Sequence, residues 1–388
     1  MAGTIVVDRI ESDSSYTSTI NVASKVNFAG GMQVGGQDAT FGGMRNKYIN
    51  GNMAIDQRNV GSSVTITTDG TYTLDRWKAY SSQSSKYSVQ QNAGSVTPPA
   101  GFKYYLGVTS LSSYSITSTD YFSIAQAIEG YNISDLAWGT SDAKSVTLSF
   151  WVRSSLTGTF GGCFVNGSAN RWYPFSYTIS SSNTWEKKTI TVSGDTTGTW
   201  SSTHTTGLEL RLGLGVGSTY SGSAGSWTAS VTNSVTGATS VVGTNGATFY
   251  ITGVQLEKGS SATDFEYRPF GTELAMCQRY YQEYNASESA AAGGGLSGVC
   301  GTTSLAVLTG ILPVEMRTTP SFNFNNTVIN YGGATAAVTA TAGFYSGKKV
   351  IGMDLTVSGT PLTVGRAAVL QFSGGQSAAN KWFVTAEL

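Results

Sequence analysis

Hydrophobic and polar residues alternate with a period of two through most of this chain. From Leu208 to Val216 every second side chain is apolar, which places that set on one face of a strand. Val146–Val152 and Thr189–Val192 read as further strands, and Ile124, Gln126 and Ile128 alternate before a turn at Gly130. From Val64 to Leu74 the pattern reads as a hairpin. A two-residue Asp69–Gly70 loop would split its apolar residues between faces. A three-residue loop, Thr68–Asp69–Gly70, puts Val64, Ile66, Tyr72 and Leu74 on one face, with Gly70 at the left-handed position. One strand changes face partway: Phe249 and Ile251 share one parity, and Val254 and Leu256 share the other. The switch falls at Gly253 and predicts a bulge at Thr252–Gly253.

A helical period occurs at only one place. From Thr272, the run TELAMCQRYYQEYN sets Leu274, Cys277, Tyr281 and Tyr284 at 3-4-3 spacing, with Thr272 as the expected N-cap. So short a helix needs a packing partner. The run Ala290–Gly298 follows as a flexible joint. Residues 300–388 then read as a second β-unit, with strands at Ser304–Leu312, Ser321–Phe324, Val350–Val357, Ala367–Phe372 and Trp382–Leu388. Residues 1–45 are short alternations broken by Gly30–Gly31, Gly35–Gly36 and Gly42–Gly43. Such a segment cannot bury a core alone and needs neighbouring chains or a docking partner.

Composition agrees with a chain of strands and turns. Charged residues are 12% of the 388 positions, glycines number 48, and aromatics reach 11%. Aromatics at that level argue against disorder. Basic and acidic residues balance at 23 each with no Lys/Arg run, so a nucleic-acid partner is not expected. Cys163, Cys277 and Cys300 are scattered without metal-ligand spacing and read as buried small hydrophobes. The opening MAGTIVVDRIESD lacks the basic-then-apolar pattern of a signal peptide, and no apolar run is long enough to insert in a membrane. A rigid, hydroxyl-rich surface of this kind suits proteins that work outside cells.

The segment Val254-Gln-Leu-Glu-Lys-Gly-Ser-Ser-Ala-Thr-Asp-Phe-Glu-Tyr-Arg-Pro269, followed by Glu273-Leu274 and Cys277-Gln-Arg-Tyr-Tyr281, resembles the closing strand of a jelly roll in tail fibres and tail spikes of tailed bacteriophages. That domain is similar to carbohydrate-binding modules. Asn46–Arg58, Leu74–Trp77, Ile124–Glu129 and Leu148–Ser154 are similar to its other landmarks, in the same order. The opening segment resembles the N-terminal stretches of cyanophage and podophage-like fibres. Pro313–Pro320 and Phe383–Leu388 resemble the small tip domain that follows. The resemblance implies an all-β chain: an extended segment at 1–45, a jelly-roll sandwich at 46–270, a short helix and linker at 271–299, and a β tip at 300–388. It further implies a non-enzymatic, homotrimeric tail fibre, assembled in the host cytoplasm without an export signal and released by lysis, that binds other virion proteins through residues 1–45 and attaches to host surface polysaccharide. A purely structural virion part, or a polysaccharide-degrading spike, are the alternatives.

The chemistry for catalysis is sparse. His204 is the only histidine and sits in a polar Ser/Thr loop with no nucleophile signature around it. Asp56, Asp75, Glu129, Asp135, Asp142, Glu209, Glu257, Asp264 and Glu266 are available carboxylates, but nothing singles out the pair that glycoside hydrolysis requires. Glu209 alternates with Leu208 and Leu210 and reads as an exposed face residue. By resemblance, Asn52, Asp56 and Glu257 are the positions to expect at a structural calcium site of oxygen ligands; no other cofactor is expected. Aromatic faces that stack on sugar rings are the positive signal. Trp151 has the parity opposite Leu148 and Phe150 and is open between an outward stacking face and a core role. Trp172 and Tyr173 sit in loop-rich ground that favours the surface, whereas Trp77 beside Leu74 reads as core.

Overall fold

The computed structural model describes residues 44–286, 295–373, 377 and 379–388, together with the backbone of two short paired strands, β1 (Gln33–Val34) and β2 (Gln37–Asp38). The segment expected at 1–45 therefore lies almost wholly outside the described residues, as does part of the joint at 290–298.

The first unit is a sandwich of two six-stranded antiparallel sheets. In chain order its early strands are β3 (Val64–Thr65), β4 (Thr71–Tyr72), β5 (Lys78–Ser81), β6 (Tyr87–Gln91), β7 (Leu106–Ser110) and β8 (Tyr121–Glu129). Then follow β9 (Val146–Ser154), β10 (Gly158–Asn166), β11 (Trp172–Ile179), β12 (Glu186–Val192) and β13 (Thr206–Val216). A small parallel ladder, β14 (Ser221–Gly222) with β15 (Ser234–Val235), precedes the long closing strand β16 (Thr248–Lys258). The first sheet runs β12-β9-β16-β7-β6-β3 and the second β11-β10-β13-β8-β5-β4. This is the jelly-roll class of all-β fold.

Period-two alternation decides what fills the space between the sheets. Leu148, Phe150 and Val152 of β9 and Phe249, Ile251, Val254 and Leu256 of β16 point inward. They meet Leu208, Leu210, Leu212 and Leu214 of β13, Phe160 and Phe164 of β10, and Trp77. Each large apolar side chain buried this way contributes roughly 1.5–3 kcal/mol. The face switch in β16 is present: its register against β9 slips between Thr252 and Gln255, and Gly253 takes φ 62°. That left-handed backbone is costly for any residue with a Cβ.

Two local expectations are corrected. Val64–Leu74 is not a hairpin, although Gly70 does adopt a left-handed φ of 74°. β3 pairs with β6 in the first sheet, and β4 pairs with β5 in the second. The segment between them crosses the edge of the sandwich and seats Ile66 in the core, its N–H bonded to Tyr87 O. The inward parity holds for Val64, Ile66 and Leu74 but not for Tyr72, which pairs with Lys78 while Thr71 pairs with the buried Ala79, and the partners are other strands.

The helix, α1 (Phe270–Gln278), is capped by Pro269 rather than Thr272; the Pro269 carbonyl accepts from the N–H groups of Thr272 and Glu273. Cys277 packs with Leu274, Ile49, Ile55 and Tyr280 in a small cluster. Tyr281 and Tyr284 are not helical. They belong to β17 (Tyr281–Asn285), because tyrosine-rich sequence fits a pleated surface well and a C-terminal strand stands ready to pair with it.

The C-terminal unit has strands β18 (Ser297–Cys300), β19 (Leu305–Ile311), β20 (Ser321–Asn325), β21 (Thr327–Tyr331) and β22 (Ala334–Ser346). It ends with β23 (Val350–Val357), β24 (Ala367–Phe372) and β25 (Lys381–Thr385). Six of these close a barrel in the order β18-β19-β23-β22-β21-β24, and β17-β25-β20 form a separate three-stranded sheet. Tyr284 stacks on Trp382 with ring centroids 4.0 Å apart. The last residues return to the sandwich: Leu388 O accepts hydrogen bonds from Tyr72 and Lys78, and Arg317 donates to the carbonyls of Ala386, Glu387 and His204.

Candidate functional site

The outer face of the first sheet carries the partly exposed aromatics. Cross-strand partners share a face, and the register aligns Lys187 of β12, Trp151 of β9 and Thr252 of β16 in one row. The adjacent row is Arg153, Tyr250 and Gly107. Trp151 thus points outward, opposite the buried Leu148, Phe150 and Val152, and is partly exposed.

Three aromatics that the sequence reading did not single out extend this face. Phe102, from the loop before β7, lies over Gly253: a Cβ on that glycine would stand 2.6 Å from the Phe102 ring and 3.2 Å from Trp151. Phe102 forms a triangle with Phe265 and Tyr267, with centroids 5.0–5.6 Å apart. Tyr267 is 55% exposed, and its hydroxyl donates to Gly101 O. The sequence did hold a signal, since Phe265 and Tyr267 alternate directly after the strand that changes face.

A second cluster anchors the other row. Tyr250 and Tyr105 are buried with centroids 5.2 Å apart, and Trp185 lies 5.6 Å from Tyr105 in an edge contact. Gly107 makes this possible, because a Cβ there would come within 3.0 Å of the Tyr250 ring. The Tyr105 hydroxyl donates to Ala93 O, and burial raises its pKa, so it stays neutral. Arg153 sits 5.5 Å from the Tyr250 ring centroid.

The outer face of the second sheet is occupied by the chain itself. Trp172 is 2% exposed: its ring packs with Cys163 and Val165 beneath Arg211, and its backbone exchanges two hydrogen bonds with Thr228 at the sheet edge. Tyr173 is 7% exposed and belongs to the main core. The surface expectation for both residues is therefore corrected. Their segment is strand β11: one parity faces the core, and Arg211 lies over the other at Trp172. Glu209 is also buried, bonded to Arg211 and Tyr80. Arg211 lies between the rings of Tyr80 and Trp172, at 4.5 and 5.2 Å. Beneath them, burial pushes the Cys163 thiol up to about 12, which leaves it inert. Trp138, Trp200 and Trp227 pack edge to face at 4.7–5.3 Å, each indole N–H bonded to a nearby carbonyl.

The residues expected at a calcium site do not fit one. Both Asp56 oxygens accept backbone N–H groups, from Asn59 and Gly61. Both Glu257 oxygens accept from Thr263, one of them also from Gln255. Asn52 Oδ1 is buried without a hydrogen-bond partner. Carboxylates surrounded by donors suit hydrogen bonds rather than a cation, and among the described residues no cluster of three His, Cys, Asp or Glu could hold a metal.

Other carboxylates are likewise engaged. Glu129 accepts from Arg279 and Tyr280, and Asp75 from Gln57. His204 lends its carbonyl to Arg317.

No family model and no curated protein matches the sequence. Among solved structures, a family 61 carbohydrate-binding module in complex with β-1,4-galactotriose matches at 10% identity, over 55% of this chain and 99% of its own, with a TM-score of 0.29. A family 11 carbohydrate-binding module from Clostridium thermocellum, in complex with a β-1,3-1,4-mixed-linked tetrasaccharide, matches at 12% identity, over 51% and 97%, with a TM-score of 0.26. The enzymatically active domain of bacteriophage CBA120 tailspike protein 4 matches at 11% identity and a TM-score of 0.28; the match covers 50% of this chain but only 21% of the tailspike chain. Similarity at this level specifies no ligand.

Proposed function

We propose that this protein is a non-enzymatic tail-fibre component of a tailed bacteriophage that holds a host surface glycan on the outer face of its first sheet. The observation that carries the binding reading is Trp151. It stands on the outer face of that sheet, beside Phe102, with Tyr267 more than half exposed nearby. Aromatic faces of this kind stack on the CH faces of sugar rings. The phage assignment rests on the motif resemblance from Asn46 to Tyr281. So do homotrimeric assembly and attachment to the virion through residues 1–45.

The decisive experiment compares wild type with Trp151→Ala for binding to host envelope polysaccharide by calorimetry. Equal affinity would sink the binding face. Release of new reducing ends from that polysaccharide would replace the binder with a degrading spike. Light scattering tests assembly, where a stable monomer of 40.6 kDa at micromolar concentration would overturn the trimer.

A further inference from the structure

We propose that the ligand of this face is an acidic polysaccharide, whose uronate or sulfate groups pair with Lys187 and Arg153 while its rings stack on Trp151. The inference rests on the reading of this face as the glycan platform.

In a chain with so few charges and none in excess, two cations flank Trp151 on one face. Lys187 is the exposed cross-strand partner of Trp151. Arg153 follows Trp151 by two residues on the same face of β9. Its Nε donates to Asn183 O at 3.0 Å, and its guanidinium lies beside the Tyr250 ring. Among the described residues neither of the two pairs with a carboxylate, although ten other ion pairs form.

The neighbouring acids are committed elsewhere. Glu186, on the opposite parity of β12, takes Lys188 and the N–H groups of Ser180 and Ser181. Glu257 takes Thr263 and Gln255, and Glu266 takes Arg268 and the N–H groups of Arg45 and Asn46. Asp264 is exposed in the turn next to Thr263. Unpaired cations next to stacking surfaces favour a polymer bearing negative charge.

Polygalacturonate, dextran sulfate and neutral dextran of matched length separate the possibilities. The expected result is binding of at least one acidic polymer, with neutral dextran at least about tenfold weaker. Raising salt from about 0.05 to about 0.5 M should weaken the acidic complex severalfold. Lys187→Gln and Arg153→Gln should each lower affinity by up to about fivefold. Trp151→Ala should lower it at least about tenfold. Lys348→Gln, on the C-terminal barrel, should change nothing. Binding of dextran sulfate without polygalacturonate assigns sulfate as the group, and the reverse assigns uronate.

Dextran bound as tightly as its sulfated form, and lost in Trp151→Ala, overturns the acidic ligand while the platform stands. Failure of both acidic polymers also overturns it. Acidic binding that survives all three face substitutions overturns the acidic ligand and the platform together.

Discussion

Glu387, one residue from the end of the sequence, ion-pairs with Arg76, which is buried between the second sheet and the segment that carries Tyr280. The Arg76 side chain is 1% exposed, lies over the Tyr280 ring at 3.5 Å and donates to Ala127 O. Arg58 shares the same carboxylate. Removing one partner of a buried pair strands the other charge, at a cost of about 3–5 kcal/mol. Glu387→Gln should therefore lower the urea midpoint markedly, and a midpoint equal to wild type would show that the pair holds nothing together.

Trp151→Ala and Trp172→Ala should differ in kind. Loss of the outward Trp151 should cost about 2 kcal/mol or more of glycan binding, with a small change in melting temperature. Loss of the buried Trp172 should cost roughly 3–5 kcal/mol of stability and leave the binding face intact in whatever protein folds. Calorimetric binding and thermal melting on both variants check this.

Gly253→Ala should destabilise by about 1–2 kcal/mol, because the left-handed backbone at φ 62° opposes a Cβ. The new methyl would also collide with Phe102, so glycan affinity should fall along with the melting temperature. Unchanged affinity would separate the Phe102 loop from the binding surface.

Two carboxylates give opposite pH slopes. Burial alone would raise the Asp120 pKa, but hydrogen bonds from Thr117, Ser82 and Tyr114 outweigh it and bring the carboxyl down to about 2. Its contribution is present above the unfolded value of about 3.9 and is lost as pH falls towards 2. Burial dominates at Asp75 and raises it to about 6 against Arg58 and Gln57. There the folded state holds the proton more tightly, so stability declines as pH rises from about 4 to 6. Asp120→Asn should flatten the acid limb and Asp75→Asn the slope between pH 4 and 6, both read from urea midpoints.

The bulge at Gly253, the inward set Leu208–Leu214 and the outward direction of Trp151 were all legible in the sequence. A pleated strand sends successive side chains to opposite faces whatever it pairs with, so parity is a property of the local chain. The all-β character follows from the same periodicity. The direction of a side chain does not say what lies beyond it, and there the local pattern ran out. Trp172 and Tyr173 looked superficial because their loops are polar, yet Arg211 covers one and the opposite sheet buries the other. Val64 and Tyr72, expected on one face, join different sheets, and only Val64 packs on the core. Tyr281 and Tyr284 fit a helical stripe until β25, a hundred residues on, offered them a strand partner. The Arg76–Glu387 pair, and the placing of Lys187 beside Trp151, join positions far apart in the chain. Sequence alone determined which way the side chains point. Only the tertiary structure decided which faces are covered and which charges stay unpaired, because burial and ion pairing depend on segments that meet after folding.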